Sequence, residues 1–465
     1  MLADALRHAR RLNRNVRLYL LSSALQAVSA GALGIIYTLY LKALGYGTDF
    51  IGLALVVGTI GGGLGIVPAN WLVRRWGWRT TLIWSDVIGA VSLALQVFIP
   101  TVPVILATTL GIGASVALVL VVNAPFLAAN SDEAERTPVF ALSTALGFLA
   151  AVLGSLLGGL LPGVFASAAA RHSGVITALA PLLARGHLAQ SYELAILATG
   201  AIALPSILPI FWLTETRPAA AAASSVAPAA RVASGAWLGA WLRRYDWRAI
   251  LAQLRVIANG PIGRFAATQS ILGFGAGLFG PYVALYFVNA LGASVAFFGA
   301  LSSALTILLA VGSLVIVPLA ARLGKIRAAV VTQALSLPFL LTLGLAPTLA
   351  VAAVALLIRG PLMNTSGPAL QAYLMDRTAP EQRVLASGVY NVSWQLAGAL
   401  GAGAGGLVIA RVGYHAVFVA AAALYAVSIT LVALWFGRPA RPAEADVSQR
   451  GVEVPAHGAV EGSRP

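Results

Sequence analysis

The chain has 465 residues, of which 59% are hydrophobic and only 10% charged, with a mean hydropathy of +0.88. A soluble domain carries roughly a quarter charged residues, so this composition excludes an ordinary water-soluble globule and points to a chain solvated by lipid. The net charge of +15 raises a nucleic-acid partner only until its distribution is read: 25 of the 30 Lys and Arg fall in the N-terminus, alternate loops, the central polar stretch and the tail, whereas Lys42, Arg171, Arg185 and Arg411 fall in the opposite loops and Arg359 inside an apolar run.

Five arginines (Arg7, Arg10, Arg11, Arg14, Arg17) open the chain, and the apolar run after them is too long for a signal core. They read as the positive anchor of a first membrane span. Apolar segments follow at 17–41, 49–72, 80–99, 103–128, 137–163 and 191–213, then at 262–288, 296–320, 327–346, 349–374, 384–410 and 414–436. Each approaches the ~20 residues a helix needs to cross the hydrocarbon core. The asymmetry of basic loops places both termini and the central stretch in the cytoplasm. The expected protein is a multi-pass component of the cytoplasmic (inner) membrane.

The expected organisation is a six-helix bundle (1–213), a cytoplasmic linker (214–261), a second six-helix bundle (262–437) and a disordered cytoplasmic tail (438–465). The linker opens with an Ala, Ser and Pro-rich run, Pro218 to Ser234. Trp237 to Arg255 then reads as an amphipathic helix at the headgroup level, with a plain tether as the other reading. A long loop at 164–190 carries His172 and His187, to which no role is assigned.

The two bundles repeat each other. At a fixed offset of 247, Arg17 matches Arg264, Gly45 matches Gly292, Phe50 matches Phe297, Gly52 matches Gly299, Arg75 matches Arg322, Gly77 matches Gly324 and Arg136 matches Arg383. Gly154, Gly158 and Gly159 match Gly401, Gly405 and Gly406. Duplicated membrane bundles place a substrate path on the axis between the copies. The fold class is therefore an all-α membrane protein of twelve transmembrane helices in two six-helix pseudo-symmetric bundles.

There is no cysteine, and the five histidines lie outside the span centres, so neither a thiolate nor a buried-histidine metal site is expected. No catalytic constellation and no Gly-rich phosphate loop appears, so no cofactor and no enzyme are expected. Charges inside spans are costly and are functional candidates by default. Asp86 in span three is a coupling candidate, with a structural role or a pairing with Arg79 as the other readings. Arg359 in span ten is a substrate candidate, with bonding to carbonyls freed by Pro361 as the other. Asp49 and Glu193, at helix ends, are expected to reach water.

Two six-helix halves with basic short loops after spans two and eight resemble the major facilitator superfamily over roughly residues 15–437. The loop after span two reads NWLVRRWGWR: Arg75, Gly77 and Arg79 match the family motif, while Asn70 and Arg74 stand where its Gly and Asp belong. The loop after span eight keeps Arg322, Gly324 and Lys325, with Ala321 at the Asp position. The loops after spans four and ten, with Arg136 and Arg383 after acidic residues, are similar to the family's acid-then-Arg loops. The resemblance implies gating roles for these eight residues, against a purely topological role. Gly154, Gly158, Gly159 and Pro162 form a loose version of the antiporter signature; its recurrence in span eleven favours helix packing.

In that family, spans one, four, seven and ten line the cavity. The resemblance thus adds Gln26, Tyr37, Asn123, Gln269, Phe274, Tyr282 and Asn364 to Arg359 as substrate-binding candidates, and Asn391, Trp394 and Gln395 join them from span eleven. Gly280-Pro281 is expected to weaken span seven as a hinge. The function implied is secondary active transport by alternating access. Efflux of hydrophobic or amphiphilic small molecules stands first, with protons as the coupling ion. An organic-anion, sugar or metabolite carrier, and a non-transporting lipid-handling or sensor protein, are the alternatives. The expected partners are a small-molecule substrate and membrane lipids, with no nucleic acid, around a monomer.

Overall fold

The computed structural model describes residues 12–167, 183, 186–214, 260–378 and 382–437. The linker residues 215–259 with the stretch Trp237 to Arg255, most of the long loop with His172, and the tail from 438 lie outside the described residues. Every regular element among the described residues is helical.

Span one is Arg14–Ala43, capped by the Asn13 side chain, which accepts from the Asn15 amide. The next helix runs Thr48–Phe98, 51 residues. At 1.5 Å per residue it would extend about 75 Å, over twice the ~30 Å core, so one crossing cannot hold it. It turns at Gly77 (φ 85°, ψ 177°), which separates spans two and three. Span four is Val102–Ala129 and span five Glu133–Ala166. Span six runs His187–Ala203 and continues through a 3-10 turn to Ile207–Phe211. Eleven described helices are long and apolar enough to cross a membrane, and the turn at Gly77 makes twelve crossings of them.

Span seven starts as Pro261–Phe279 and breaks at Gly280–Tyr282, then ends in a π-helical stretch, Tyr286–Ala290. Proline removes a backbone donor and crowds the preceding turn, so the break falls where the Gly-Pro pair predicts it. Spans eight, nine, eleven and twelve are Val295–Leu323, Lys325–Gly344, Arg383–Arg411 and Tyr414–Phe436. Span ten is Leu349–Asn364 followed by Ser366–Asp376. Large apolar side chains such as Leu64, Leu120 and Val354 are exposed on the outside, as a surface facing lipid requires.

The sequence repeat has a backbone expression. Gly77 and its counterpart Gly324 have φ of 85° and 84°, and Gly45 and Gly292 have 92° and 68°. An L side chain in the left-handed region costs roughly 1–2 kcal/mol, which explains why both copies keep glycine at both turns.

The paired glycines of spans five and eleven do two separate jobs. Within each half, a β-carbon on Gly154 or Gly158 would press on the span-one backbone at Val28 or Ala32, and one on Gly401 or Gly405 would press on span seven at Phe274 or Leu278. Between halves, a β-carbon on Gly159 would lie 2.8 Å from the Gly299 Cα, and one on Gly406 would lie 2.2 Å from the Thr48 carbonyl oxygen. Gly159 and Gly299 are the repeat counterparts of Gly406 and Gly52, so the two contacts across the molecule are one contact drawn twice.

All of these inter-half contacts lie toward the side away from the termini. Thr48 Oγ1 donates to the Gly406 carbonyl at 3.0 Å, and Ser303 Oγ to the Val152 carbonyl at 2.9 Å. Farther toward the termini, spans five and eight part around a cleft of about 970 Å³ lined by Phe140, Phe148, Ile307 and Val311, with Arg136 at its rim. The described backbone contacts between the halves thus lie toward the far side, and the cleft between spans five and eight toward the termini side.

Candidate functional site

A cavity of about 620 Å³ lies at the centre of the second half, where spans seven, eight, ten and eleven face span one. Its wall is mostly apolar, with Phe279, Phe298, Leu305, Leu356 and Met363, and it carries the amides of Gln269, Gln333, Asn364 and Asn391 and the Trp394 ring. Volume and lining both fall in the range of small-molecule sites.

Arg359 lines this cavity and is only 8% exposed. It stands ten residues below the start of span ten at Leu349, about 15 Å down and so near mid-membrane. Its guanidinium carbon lies 4.7 Å from the Phe279 ring centroid and 5.5 Å from that of Tyr425. Nη2 donates to the Tyr425 hydroxyl at 3.1 Å. The expected bonding to carbonyls freed by Pro361 is not what the guanidinium shows: its described hydrogen bond goes to the Tyr425 hydroxyl. Two desolvated aromatic faces supply on the order of 2 kcal/mol each. Even so, Arg359 Nε is buried without a hydrogen-bond partner, and so is Gln269 Nε2. Buried donors left unpaired are costly and ask for an explanation.

Five of the eleven expected substrate residues line this cavity: Arg359, Gln269, Asn364, Asn391 and Trp394. The others are placed elsewhere. Tyr282 closes the far side, its hydroxyl donating to the Ala402 carbonyl at 2.5 Å above Gly52 and Gly406. Phe274 packs its backbone on Gly401, and Gln395 is exposed. Tyr37 is enclosed in the first half, accepting from Gln96 Nε2 at 3.0 Å and meeting Thr109 Oγ1 at 2.8 Å. Asn123 keeps a buried, unpartnered Oδ1 there. Gln26 donates to Asp86 at 2.9 Å.

Asp86 therefore does not pair with Arg79. It accepts from Gln26 on span one and from Ser206 on span six at 3.3 Å, while Arg79 lies 6.0 Å from the Phe211 ring centroid. Asp86 sits beyond the Gly77 turn on the helix side that faces the bundle, which takes it away from the loop arginine. Glu193 is a second correction. It is fully buried rather than at the water interface, accepting from the Tyr40 hydroxyl at 3.4 Å, because span six begins at His187 and carries it two turns deep.

The expected gating residues lie at the termini-side ends. Gly77 and Gly324 make the turns, and Arg75 and Arg322 are exposed beside them. Lys325 is ion-paired with Asp376, across the second half. Arg136 and Arg383 behave alike: each Nε donates at 3.3 Å to a carbonyl near the end of the preceding helix, Ala128 or Thr378.

Phe279 and Tyr425 escaped sequence reasoning. Their signal was indirect: a cation in a stretch without acidic residues must find aromatic faces or hydroxyls, and span twelve carries five aromatic residues with nothing in the sequence to single out Tyr425.

The family model described as Major Facilitator Superfamily matches residues 265–461, and that of the MFS_1 like family matches residues 8–170. Among solved structures, a point mutant of the nucleoside transporter NupG is similar at 14% identity, covering 91% of this chain and 100% of that one, with a TM-score of 0.68. A bacterial homologue of the human lysosomal transporter Spinster, inward-facing and occupied, is similar at 12% identity, covering 90% and 95%, with a TM-score of 0.68. A bacterial homologue of the iron transporter ferroportin, inward-facing, is similar at 13% identity, covering 91% and 99%, with a TM-score of 0.66. No curated protein matches the sequence. At these identities the likeness is one of fold.

Proposed function

The chain belongs to the major facilitator superfamily of membrane transporters, and from that premise we propose that it is a secondary transporter that exports amphiphilic small molecules by alternating access about the Arg359 cavity. The observation that carries the reading is the asymmetry of the two halves. They meet backbone to backbone at Gly159–Gly299 and Gly406–Thr48 on one side, and part on the other. The basic loops assign the open side to the cytoplasm, so a solute would enter from within. Aromatic and aliphatic walls with a few amides suit an amphiphile.

Asp86 is the coupling group in this reading. Its two hydrogen-bond partners, Gln26 and Ser206, are neutral and sit on spans one and six, so gain of a proton would change how three helices of the first half are joined.

The test is transport into inside-out vesicles and proteoliposomes, with and without an imposed pH gradient, over a set of amphiphilic anions, cations and neutral compounds. Saturable, gradient-accelerated movement of at least one is expected. A folded, inserted protein that moves none refutes the transporter reading, and movement insensitive to the gradient refutes proton coupling.

A further inference from the structure

We propose that the Arg359 cavity binds organic anions, a carboxylate carried on an apolar or aromatic body, an inference that rests on the cavity being the transport site.

The first argument is charge. From 262 to 375 and from 382 to 437 the sequence holds no Asp or Glu. The one described acidic residue of the second half, Asp376, is engaged by Lys325 at the termini-side surface. In the first half, Asp86 is held by Gln26 and Ser206, Glu193 lies with Tyr40, and Asp49 is exposed at the far end. Arg359 is thus a mid-membrane cation whose described surroundings are aromatic rings and one tyrosine hydroxyl. A buried charge without a counter-charge is poorly compensated, and an anionic ligand would supply what the protein omits.

The second argument is the polarity of the unmet hydrogen bonds. Among the described residues lining this cavity, the buried side-chain atoms without a partner are Arg359 Nε and Gln269 Nε2, and both are donors. A cation-binding or purely apolar site would leave acceptors or nothing. Donors alone ask for an acceptor, and one that carries charge bonds more strongly than one that does not.

The third argument is shape. The Phe279 and Tyr425 rings lie 4.7 and 5.5 Å from the guanidinium carbon and the Tyr425 hydroxyl takes one Nη2 proton, which leaves Nε without a partner. Edge-on bidentate contact is the way guanidinium takes a carboxylate, and lysine cannot copy it. The remaining volume, about 620 Å³ walled by Phe298, Leu305, Leu356 and Met363, suits the body of the molecule. Phosphate monoesters share the edge-on chemistry, so the experiment carries an arm for them.

The experiment measures thermal stabilisation and equilibrium binding on the detergent-purified full chain with 2-naphthoate, its neutral isostere 2-naphthamide, and naphthyl phosphate. Saturable stabilisation by naphthoate and not by naphthamide is expected. Arg359→Lys should weaken it about tenfold and Arg359→Gln more, with Gln269→Leu intermediate. Preference for naphthyl phosphate would assign the same edge to a phosphate and overturn the carboxylate choice. Equal stabilisation by acid and amide, no stabilisation by either, or full binding by the Gln variant overturns the proposal. The melting curve of each variant without ligand shows whether it folds. The outcome separates from the transport reading. Carriage of neutral or cationic solutes with no Arg359-dependent binding leaves a transporter without an anion site. Arg359-dependent binding with no flux of any solute leaves an anion site without a transporter.

Discussion

Gly159 of span five and Gly299 of span eight meet at their α-carbons, so that a β-carbon added to either would lie 2.8 or 2.6 Å from the other's Cα. Their repeat counterparts, Gly406 and Gly52, sit in the matching contact between spans eleven and two. The far-side seal of the molecule is therefore made of glycine on both sides of the pseudo-symmetry axis. A seal that must open in a transport cycle differs from packing that must persist, and that difference can be measured.

Gly159→Val should leave the protein folded but unable to close the far side. Expected are loss of transport and faster labelling of a cysteine placed at Ala284, which lines the cavity, by a membrane-impermeant reagent from outside. Gly158→Val, one residue away, presses on span one at Ala32 within one half. Overpacking there costs about 1–3 kcal/mol in every conformation. It should lower the melting temperature and the yield of folded protein. If both variants behave alike, the division of the glycines into seal and scaffold is wrong.

Gly77→Ala and Gly324→Ala each place a β-carbon in the left-handed region, at a cost of about 1–2 kcal/mol. A β-carbon at Gly324 would have no heavy atom within 4 Å, so backbone strain alone acts there. A melting temperature lowered by Gly324→Ala but not by Ala substitution at the neighbouring exposed Arg322 would match. No change for Gly324→Ala would mean the turn relaxes at no cost.

Much of this was legible in the sequence. Apolar lengths set the spans, and the offset of 247 picked out the glycines whose φ and contacts prove equivalent. Proline and glycine announced the break in span seven. What could not be read was rotation about each helix axis. In lipid every face of a helix is apolar, so the period that marks a buried face in water is faint. Tyr37 and Gln269, both polar residues on expected cavity spans, were indistinguishable until Tyr37 proved to be bonded inside the first half and Gln269 to line the cavity. Glu193 reads as a helix-end residue from the apolar run alone, but the helix starts at His187, before that run.

Asp86→Asn should abolish acceleration by a pH gradient while leaving gradient-free exchange of solute intact. Gln26 and Ser206 donate to different oxygens of Asp86; asparagine keeps one of these acceptors, offers an amide donor in place of the other, and holds no titrating proton. Glu193 is the control, as it is buried beside Tyr40 away from the cavity wall. Glu193→Gln should retain the gradient effect. If the two variants exchange outcomes, Glu193 and not Asp86 carries the proton.

The balance of forces on Arg359 makes a prediction of opposite signs at two neighbouring residues. Tyr425 supplies the one described hydrogen bond to the guanidinium and one of its two aromatic faces. Tyr425→Phe keeps the ring and removes the acceptor, leaving the cation with two rings and no described hydrogen-bond partner. A hydrogen bond to a charged group contributes roughly 1.5–3 kcal/mol, so the melting temperature should fall. Arg359→Met removes the charge itself and fills similar space with an apolar chain. Replacing a buried, poorly compensated charge in this way is often neutral or stabilising by about 1–4 kcal/mol. The purified Met variant should therefore melt no lower than the wild type, although it cannot bind a carboxylate. That pattern is the mark of a residue kept for function at a cost in stability. A Met variant that melts far lower than the wild type would show that the Phe279–Arg359–Tyr425 stack is a structural linchpin of the second half, and the unpaired Nε would then have to be explained without a ligand.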